Sequence, residues 1–197
     1  NIGGTASNDL GNITIGATGN DGAITLSGDI GTDSVAGAAI VAVGNAGTSS
    51  ITVGGAEYNT SGTQTYTADD YNLNGTDITF TTSADIVTFA DGGSDGSIDL
   101  ADAADLSITT SGANIVINVP ILGTSGGGVS TDVTLNAAAG NVTIEDIGTD
   151  VNDVAITGGT ISIDGTIETA DLSTSDAGGI TLTGAVTLAG NVTLDTD

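Results

Sequence analysis

The stretch ITFTTSADIVTFADGGSDGSIDLADAADLSITTSGANIVI, residues 78–117, predicts the fold of this chain. It repeats one triplet, in which a small polar residue, often Thr, stands between two apolar residues. A period of two is typical of a half-buried β-strand with its apolar side chains on one face. Successive copies lie 9, 11, 8 and 9 residues apart and begin at Ile78, Val87, Ile98, Leu106 and Ile115.

The same triplet extends along most of the chain, and Gly-, Asn- and Asp-rich turns separate its copies. Short strands at this spacing fit a β-solenoid or a β-sandwich. We predict an all-β chain folded as a right-handed parallel β-helix of about eight or nine coils, at roughly 20–25 residues a coil. Further copies begin at Ile13, Ile24, Ile51, Val133, Val142, Ile180, Val186 and Val192.

The core composition favours the solenoid, although tandem β-sandwich modules stay open as the alternative. Aromatic residues make up only 3% of the chain, and a sandwich core usually contains an aromatic anchor. Ile, Val, Leu and Ala suit a narrow interior that is one side chain deep. We therefore expect residues 1–197 to form a single solenoid segment.

The charge is extreme. The chain has 25 acidic residues and no Lys, Arg, His, Cys, Met or Trp, which gives a net charge of −25. A hydrophobic content of 38% argues against disorder, and the longest apolar stretch, residues 35–43, is too short to span a bilayer. Nucleic acid and anionic lipid would be repelled, so we expect neither as a partner, and no membrane insertion.

Both ends of the sequence continue the strand pattern rather than capping it. The last triplet is Val192–Leu194, and the first residues, Asn1–Gly4, resemble the middle of a repeat. An uncapped solenoid exposes unpaired strand edges. We therefore expect the segment to be one unit of a longer array, and its partner to be the protein itself, joined end to end as tandem repeats or as a homopolymer.

Two segments carry a resemblance to a known family. Gly178–Asp197 and Ala56–Phe80 resemble the repeats of large filamentous-haemagglutinin-like bacterial surface proteins. The resemblance covers most of the chain, through motifs of low complexity. It implies a right-handed β-helix, secretion to the cell exterior, and a role in adhesion, biofilm or surface fibres. The family's amino-terminal secretion domain has no counterpart in these residues.

Catalysis has few suitable groups here. Without His, Cys, Lys or Arg, the chain lacks the usual base, thiol nucleophile and cationic stabiliser. A polysaccharide-active β-helix would need a carboxylate pair, for which Asp69–Asp70 and the spaced set of Asp99, Asp102 and Asp105 are candidates. Adjacent Asp residues on a strand point to opposite faces. We expect no enzyme.

Calcium binding is the better-supported chemistry, because hard cations prefer oxygen ligands. No cofactor is required by the sequence, and Ca²⁺ is the one ion we consider. The alternative is that these carboxylates are solvated turn residues. Weaker candidates are Gly19–Gly22 and a cluster of Glu145, Asp146, Asp150 and Asp153; the densest set, and the predicted calcium site, is Asp91, Asp95, Asp99, Asp102 and Asp105.

Outward Thr residues allow another kind of binding, since regular Thr-x-Thr arrays on solenoids bind ice. In the sequence only Thr63–Thr67 shows that motif well. The favoured function is a structural unit of an extracellular fibre or adhesin stalk at the cell surface. The alternatives are a calcium-dependent adhesin segment of β-sandwich modules and, more remotely, a polysaccharide-active or ice-binding solenoid.

Overall fold

The computed structural model describes residues 11–16, 19, 22–31, 38–93, 95–124, 131–148, 150–169 and 178–196. Every regular element in these ranges is a β-strand. The strands are β1 (Ile13–Ile15), β2 (Ile24–Leu26), β3 (Val41–Gly44), β4 (Ser50–Val53), β5 (Glu57–Thr60), β6 (Gln64–Ala68), β7 (Asp70–Leu73), β8 (Asp77–Thr82), β9 (Val87–Asp91), β10 (Ile98–Leu100), β11 (Asp105–Thr110), β12 (Ile115–Ile117), β13 (Ile121–Leu122), β14 (Val133–Asn136), β15 (Asn141–Ile144), β16 (Ile147–Gly148), β17 (Val154–Ile163), β18 (Thr166–Glu168), β19 (Ile180–Leu188) and β20 (Thr193–Asp195).

The strands stack in parallel on three faces. Face A is β1-β3-β6-β9-β12-β15-β17-β19, and face B is β5-β8-β11-β14-β17-β19. Face C is β2-β4-β7-β10-β13-β16-β18-β20. The long strands β17 and β19 contribute their first halves to face B and their second halves to face A, with a shift of register between Thr157 and Thr160. The chain is therefore a parallel β-solenoid, as predicted.

The turns are fewer than predicted. Six consecutive turns carry a strand on all three faces, from β5-β6-β7 to β19-β20. Before them, β1 to β4 lie on faces A and C, and the isolated bridges Ile30↔Tyr58 and Ala38↔Thr60 extend face B. A turn takes between 19 residues (Val142 to Ile161) and 28 residues (Ile13 to Val41). The prediction of eight or nine coils was somewhat high because corner loops lengthen many turns.

Every strand pair in the described residues is parallel, which rules out the β-sandwich alternative there, because sandwiches are built from antiparallel strands. The right-handed sense of the coil stays a prediction; it follows the strong preference of parallel crossovers. The described residues contain no helix long and apolar enough to cross a membrane.

The alternation of the triplets holds in three dimensions. In β11 the buried Leu106 and Ile108 alternate with the half-exposed Ser107 and Thr109. Uninterrupted registers place apolar residues over apolar residues from turn to turn, for example Ile115 over Val87. The interior is thus a continuous aliphatic column, and burying it supplies the main driving force for folding.

All five aromatic residues lie in this interior, a clustering that the sequence pattern did not reveal. Their side chains are completely buried, and they occupy two adjacent turns. Phe89 stacks on Tyr66 with ring centroids 5.0 Å apart and meets Phe80 edge to face at 5.1 Å. Aromatic pairs at these distances stabilise a core beyond the area they bury. The cluster comprises Tyr58, Tyr66, Tyr71, Phe80 and Phe89.

The corner between faces B and A uses buried Thr side chains. Thr60, Thr82 and Thr110 stack in register, and each hydroxyl donates a hydrogen bond to a carbonyl of its own turn. A tighter constraint lies at Gly44, whose φ is +81° and whose missing Cβ would come within 2.0 Å of the Thr67 carbonyl oxygen. Only Gly fits that position without a shift of the backbone.

Candidate functional site

The structure spreads the predicted calcium site over two turns. Asp91 ends β9, Asp99 lies in the centre of β10, and Asp105 begins β11. Asp95 and Asp102 lie in the loops before and after β10. In the described part of the chain, no three acidic side chains lie close enough together to hold a metal ion.

Three of these carboxylates form local hydrogen bonds. Asp91 Oδ1 accepts a bond from the Gly93 amide at 2.8 Å, and Asp99 Oδ1 accepts one from the Ser97 hydroxyl at 2.7 Å. Such contacts are typical of Asp in turns. They fit the alternative of turn carboxylates, and calcium binding by this set stays a prediction.

Asp91 and Asp95 do share a cleft, in which they meet partners that the sequence did not suggest. The cleft has a volume of about 240 Å³, and it is also lined by Asn118, Pro120 and Glu145. The register of face A carries Asn118 and Glu145 there from the next two turns, one residue beyond β12 and β15. Sequence spacing of 23 to 54 residues hides this meeting, because only the lengths of the intervening turns decide it.

The Glu145 carboxyl has a raised pKa. Burial is the main cause, and the negative charges of Asp146, Asp164 and Asp91 add to it. A carboxylate held close to like charges in a partly buried cleft gains from a cation or a proton. The cleft is therefore the place where an added cation would relieve most repulsion.

The other sequence candidates are not brought together. Asp69 and Asp70 are neighbours at the start of β7, and neither lines the cleft. Asp146 accepts a hydrogen bond from the Thr166 amide, and Asp153 accepts one from the Gly179 amide at 2.7 Å. Within Gly19–Gly22, residues 20 and 21 lie outside the described residues.

Two oxygens near the third cluster have no hydrogen-bond donor. Oδ1 of Asp150 and Oδ1 of Asn152 are both buried and unpartnered. The amide nitrogen of Asn152 donates to Asp132 Oδ1 at 3.3 Å, which leaves the Asn152 oxygen as an acceptor. A water molecule or a cation would satisfy both oxygens.

One column of Asp residues links successive turns at the entrance to face B. Asp105 Oδ1 accepts from the Asp132 amide at 2.9 Å, and Asp132 Oδ1 accepts from the Asp153 amide at 3.1 Å. Asp153 continues the column to the Gly179 amide of the next turn. These carboxylates supply acceptors for corner amides that the strand ladders leave unpaired. Part of the acidity is thus structural.

The last described turn exposes the solenoid interior. Val186 and Leu188 lie over the fully buried Ile161 and Ile163, yet they are 43% and 59% exposed. Leu194 lies over the buried Ile167 and is 50% exposed. Both β19 and β20 pair on one side only in the described chain. This end is an apolar cross-section with an unpaired strand edge.

Comparison with known proteins gave no further guide. No family model, no curated protein and no solved structure matches the chain. The resemblance to filamentous-haemagglutinin-like repeats therefore stays a prediction from the style of the sequence.

Proposed function

We propose that this chain is a non-catalytic structural segment of an extracellular surface fibre or adhesin stalk. In this proposal, segments join end to end by strand stacking, so that the solenoid continues from one unit into the next. The observation that carries the proposal is the open turn of β19 and β20.

The occupant of the open end is a second copy of this chain. A strand added to β19 must run parallel to it and place aliphatic side chains over Val186 and Leu188. The triplets of β1 and β2 have that alternation, and Ile13, Ile15 and Ile24 pack only partly buried against the core at the opposite end. Strand addition supplies main-chain hydrogen bonds, and apolar contact adds affinity.

The charge supports a thin fibre. With a net charge of −25 and no basic residue, the sides of two solenoids repel each other, while the ends can still meet through hydrogen bonds and apolar contact. Screening over a Debye length of about 10 Å at 0.1 M salt weakens the lateral repulsion. We therefore place single fibres at low salt and bundles at high salt.

The surface location rests on the same composition. A strongly acidic chain without Cys or Met resists oxidation and repels nucleic acid and anionic lipid. Exposure outside the cell makes use of these properties.

The test compares two charge substitutions on neighbouring residues of β19. Leu188→Asp places a charge on the exposed apolar end, and Thr187→Asp adds the same charge on the outward face of the strand. We expect the wild-type chain to form rods in sedimentation velocity and electron microscopy, Leu188→Asp to stay monomeric, and Thr187→Asp to assemble. A wild-type chain that stays monomeric at all salt concentrations, or equal loss in both variants, contradicts the proposal.

A second proposal concerns calcium. The cleft of Asp91, Asp95, Asn118 and Glu145 offers four oxygen-bearing side chains, and the raised pKa of Glu145 shows the repulsion that a cation would relieve. Calcium is the divalent ion that best tolerates such an irregular set of oxygens. In the fibre, bound calcium would stiffen the turns that β9, β12 and β15 connect.

A further inference from the structure

Face B carries two straight rows of small polar side chains on its outer surface. The first row runs through one outward residue of each strand, and the second row lies two residues farther along. Over the last five turns the first row is Thr79, Ser107, Thr134, Ala155 and Thr181, and the second is Thr81, Thr109, Asn136, Thr157 and Thr183.

Eight of these ten positions carry a hydroxyl group. The register holds without a bulge through all five strands, so the rows are regular. Hydroxyls repeat every ~4.8 Å along the solenoid and every ~6.7 Å along a strand. The sequence had indicated Thr63–Thr67 instead, but its Thr67 pairs with Gly44 on one side and Ala90 on the other, so that motif does not continue on face A.

The array is uncharged within a highly acidic protein. None of its ten positions is acidic, although Asp77 and Asp105 flank the array where their strands begin. By contrast, the outward residues of face C include Asp99, Glu168 and Asp195. In the part of the chain that the structure describes, the hydrogen bonds at the array involve main-chain atoms and the Asn136 amide oxygen, not the hydroxyls.

The array is also rigid. The strands of face B are hydrogen-bonded on both sides through four of the five turns, and the buried residues between the rows fix the backbone. β-Branched Thr has few side-chain rotamers, so its hydroxyl and methyl groups hold their positions. A rigid, repeating set of hydroxyls can hold water molecules in a matching repeat, because each bridging water costs little entropy.

We infer that face B is an ice-binding surface, whose ligand is an ordered layer of water that joins an ice crystal. A flat array that repeats in two directions matches a partner that itself repeats, which is a crystalline surface. A mineral surface would need charged groups within the array. Crystalline polysaccharide would need exposed aromatic platforms, and all five aromatic side chains are buried.

The test uses two Thr residues that occupy the same turn in equivalent triplets. Thr134 in β14 belongs to the array on face B, and Thr143 in β15 lies on face A; both are exposed and lie between two buried aliphatic residues. Thr134→Tyr interrupts the array with a bulky side chain. Thr143→Tyr makes the same change on the other face and serves as the control.

We expect the wild-type chain to produce thermal hysteresis and to inhibit ice recrystallisation. Thr134→Tyr loses most of both activities, Thr143→Tyr keeps them, and circular dichroism melts show both variants folded. If Thr134→Tyr is unfolded, Thr134→Val, which keeps the shape and removes the hydroxyl, replaces it. An inactive wild-type chain, equal loss in the two variants, or adsorption to crystalline cellulose or chitin without ice activity overturns the inference.

Discussion

The carboxylate of Asp105 accepts a hydrogen bond from the backbone amide of Asp132, one turn farther along the solenoid, at 2.9 Å. Each of these two residues brings a negative charge close to the other, yet each also provides an acceptor for the following turn. The solenoid thus uses its acids as connectors and tolerates their repulsion. This opposition of hydrogen bonding and charge sets several of the measurable properties of the protein.

Substitutions at Asp132 separate the two effects. Its Oδ1 accepts from the Asp153 amide and from the Asn152 side chain. We expect Asp132→Ala to lower the free energy of unfolding by about 1 kcal/mol, because both donors lose their acceptor. Asp132→Asn keeps an acceptor oxygen and removes a charge, so its stability should equal or exceed that of the wild type. Chemical denaturation measures both, and an Asn variant as unstable as the Ala variant contradicts this account.

Acidification should stabilise the fold. Burial, together with the charges of Asp132 and Asp77, raises the pKa of Asp105 above its ordinary value of 3.8, and burial likewise raises that of Glu145 above 4.5. A carboxyl with a raised pKa in the folded state binds its proton more tightly there. Its stabilising contribution is complete below the ordinary pKa and is lost as the pH rises through the raised value.

We therefore expect the melting temperature to increase as the pH falls from about 7 towards about 4.5 at constant ionic strength. Calorimetry over this range measures the slope. Asp105→Asn should flatten the slope in part, since one of the two shifted groups no longer titrates. A melting temperature that falls steadily over the same range would show that the acids stabilise the fold more when ionised.

The aromatic cluster should dominate the stability of its two turns. Phe89 contacts Tyr66, Tyr71 and Phe80 within 5.3 Å between ring centroids. Removing its ring leaves a cavity, so we expect Phe89→Ala to cost about 3–5 kcal/mol and Phe89→Leu to cost less. The outward neighbour Thr88 is the control, and Thr88→Ala should stay within about 0.5 kcal/mol of the wild type. Equal effects of Phe89→Ala and Thr88→Ala would show that the cluster is not tightly packed.

The calcium proposal predicts a chelator effect. We expect EDTA to lower the melting temperature and calcium to restore it, because the bound ion stabilises only the folded state. The combined variant Asp95→Asn, Glu145→Gln should lose this response, since it removes two of the three charges of the cleft. Asp99→Asn, which lies on face C against Ser97, should keep it.

The melt therefore distinguishes a calcium site in the cleft from the five-Asp set predicted from the sequence. A melt that does not change across the chelator and calcium titration removes the metal proposal altogether. Loss of the response in Asp99→Asn alone would return the site to the neighbourhood of β10.

The sequence by itself determined the type of fold. Triplets such as Ile13–Ile15 and Val142–Ile144 alternate with a period of two, and this local property is enough to assign strands with one buried face. Their short spacing and the absence of helix-forming segments also predicted the parallel solenoid. The length of each turn was less accessible, because corner loops between 19-residue and 28-residue turns do not disturb the pattern within a strand.

Only the tertiary structure decided which residues meet across turns. The register between strands brings Glu145 to Asp91, gathers five scattered aromatic residues into one cluster, and aligns Thr81 with Thr109 and later residues into rows. The physical reason is that neighbours in a solenoid are separated by one turn of variable length. Periodicity along the chain fixes the face on which a side chain lies, whereas the sum of loop lengths fixes the side chains beside it.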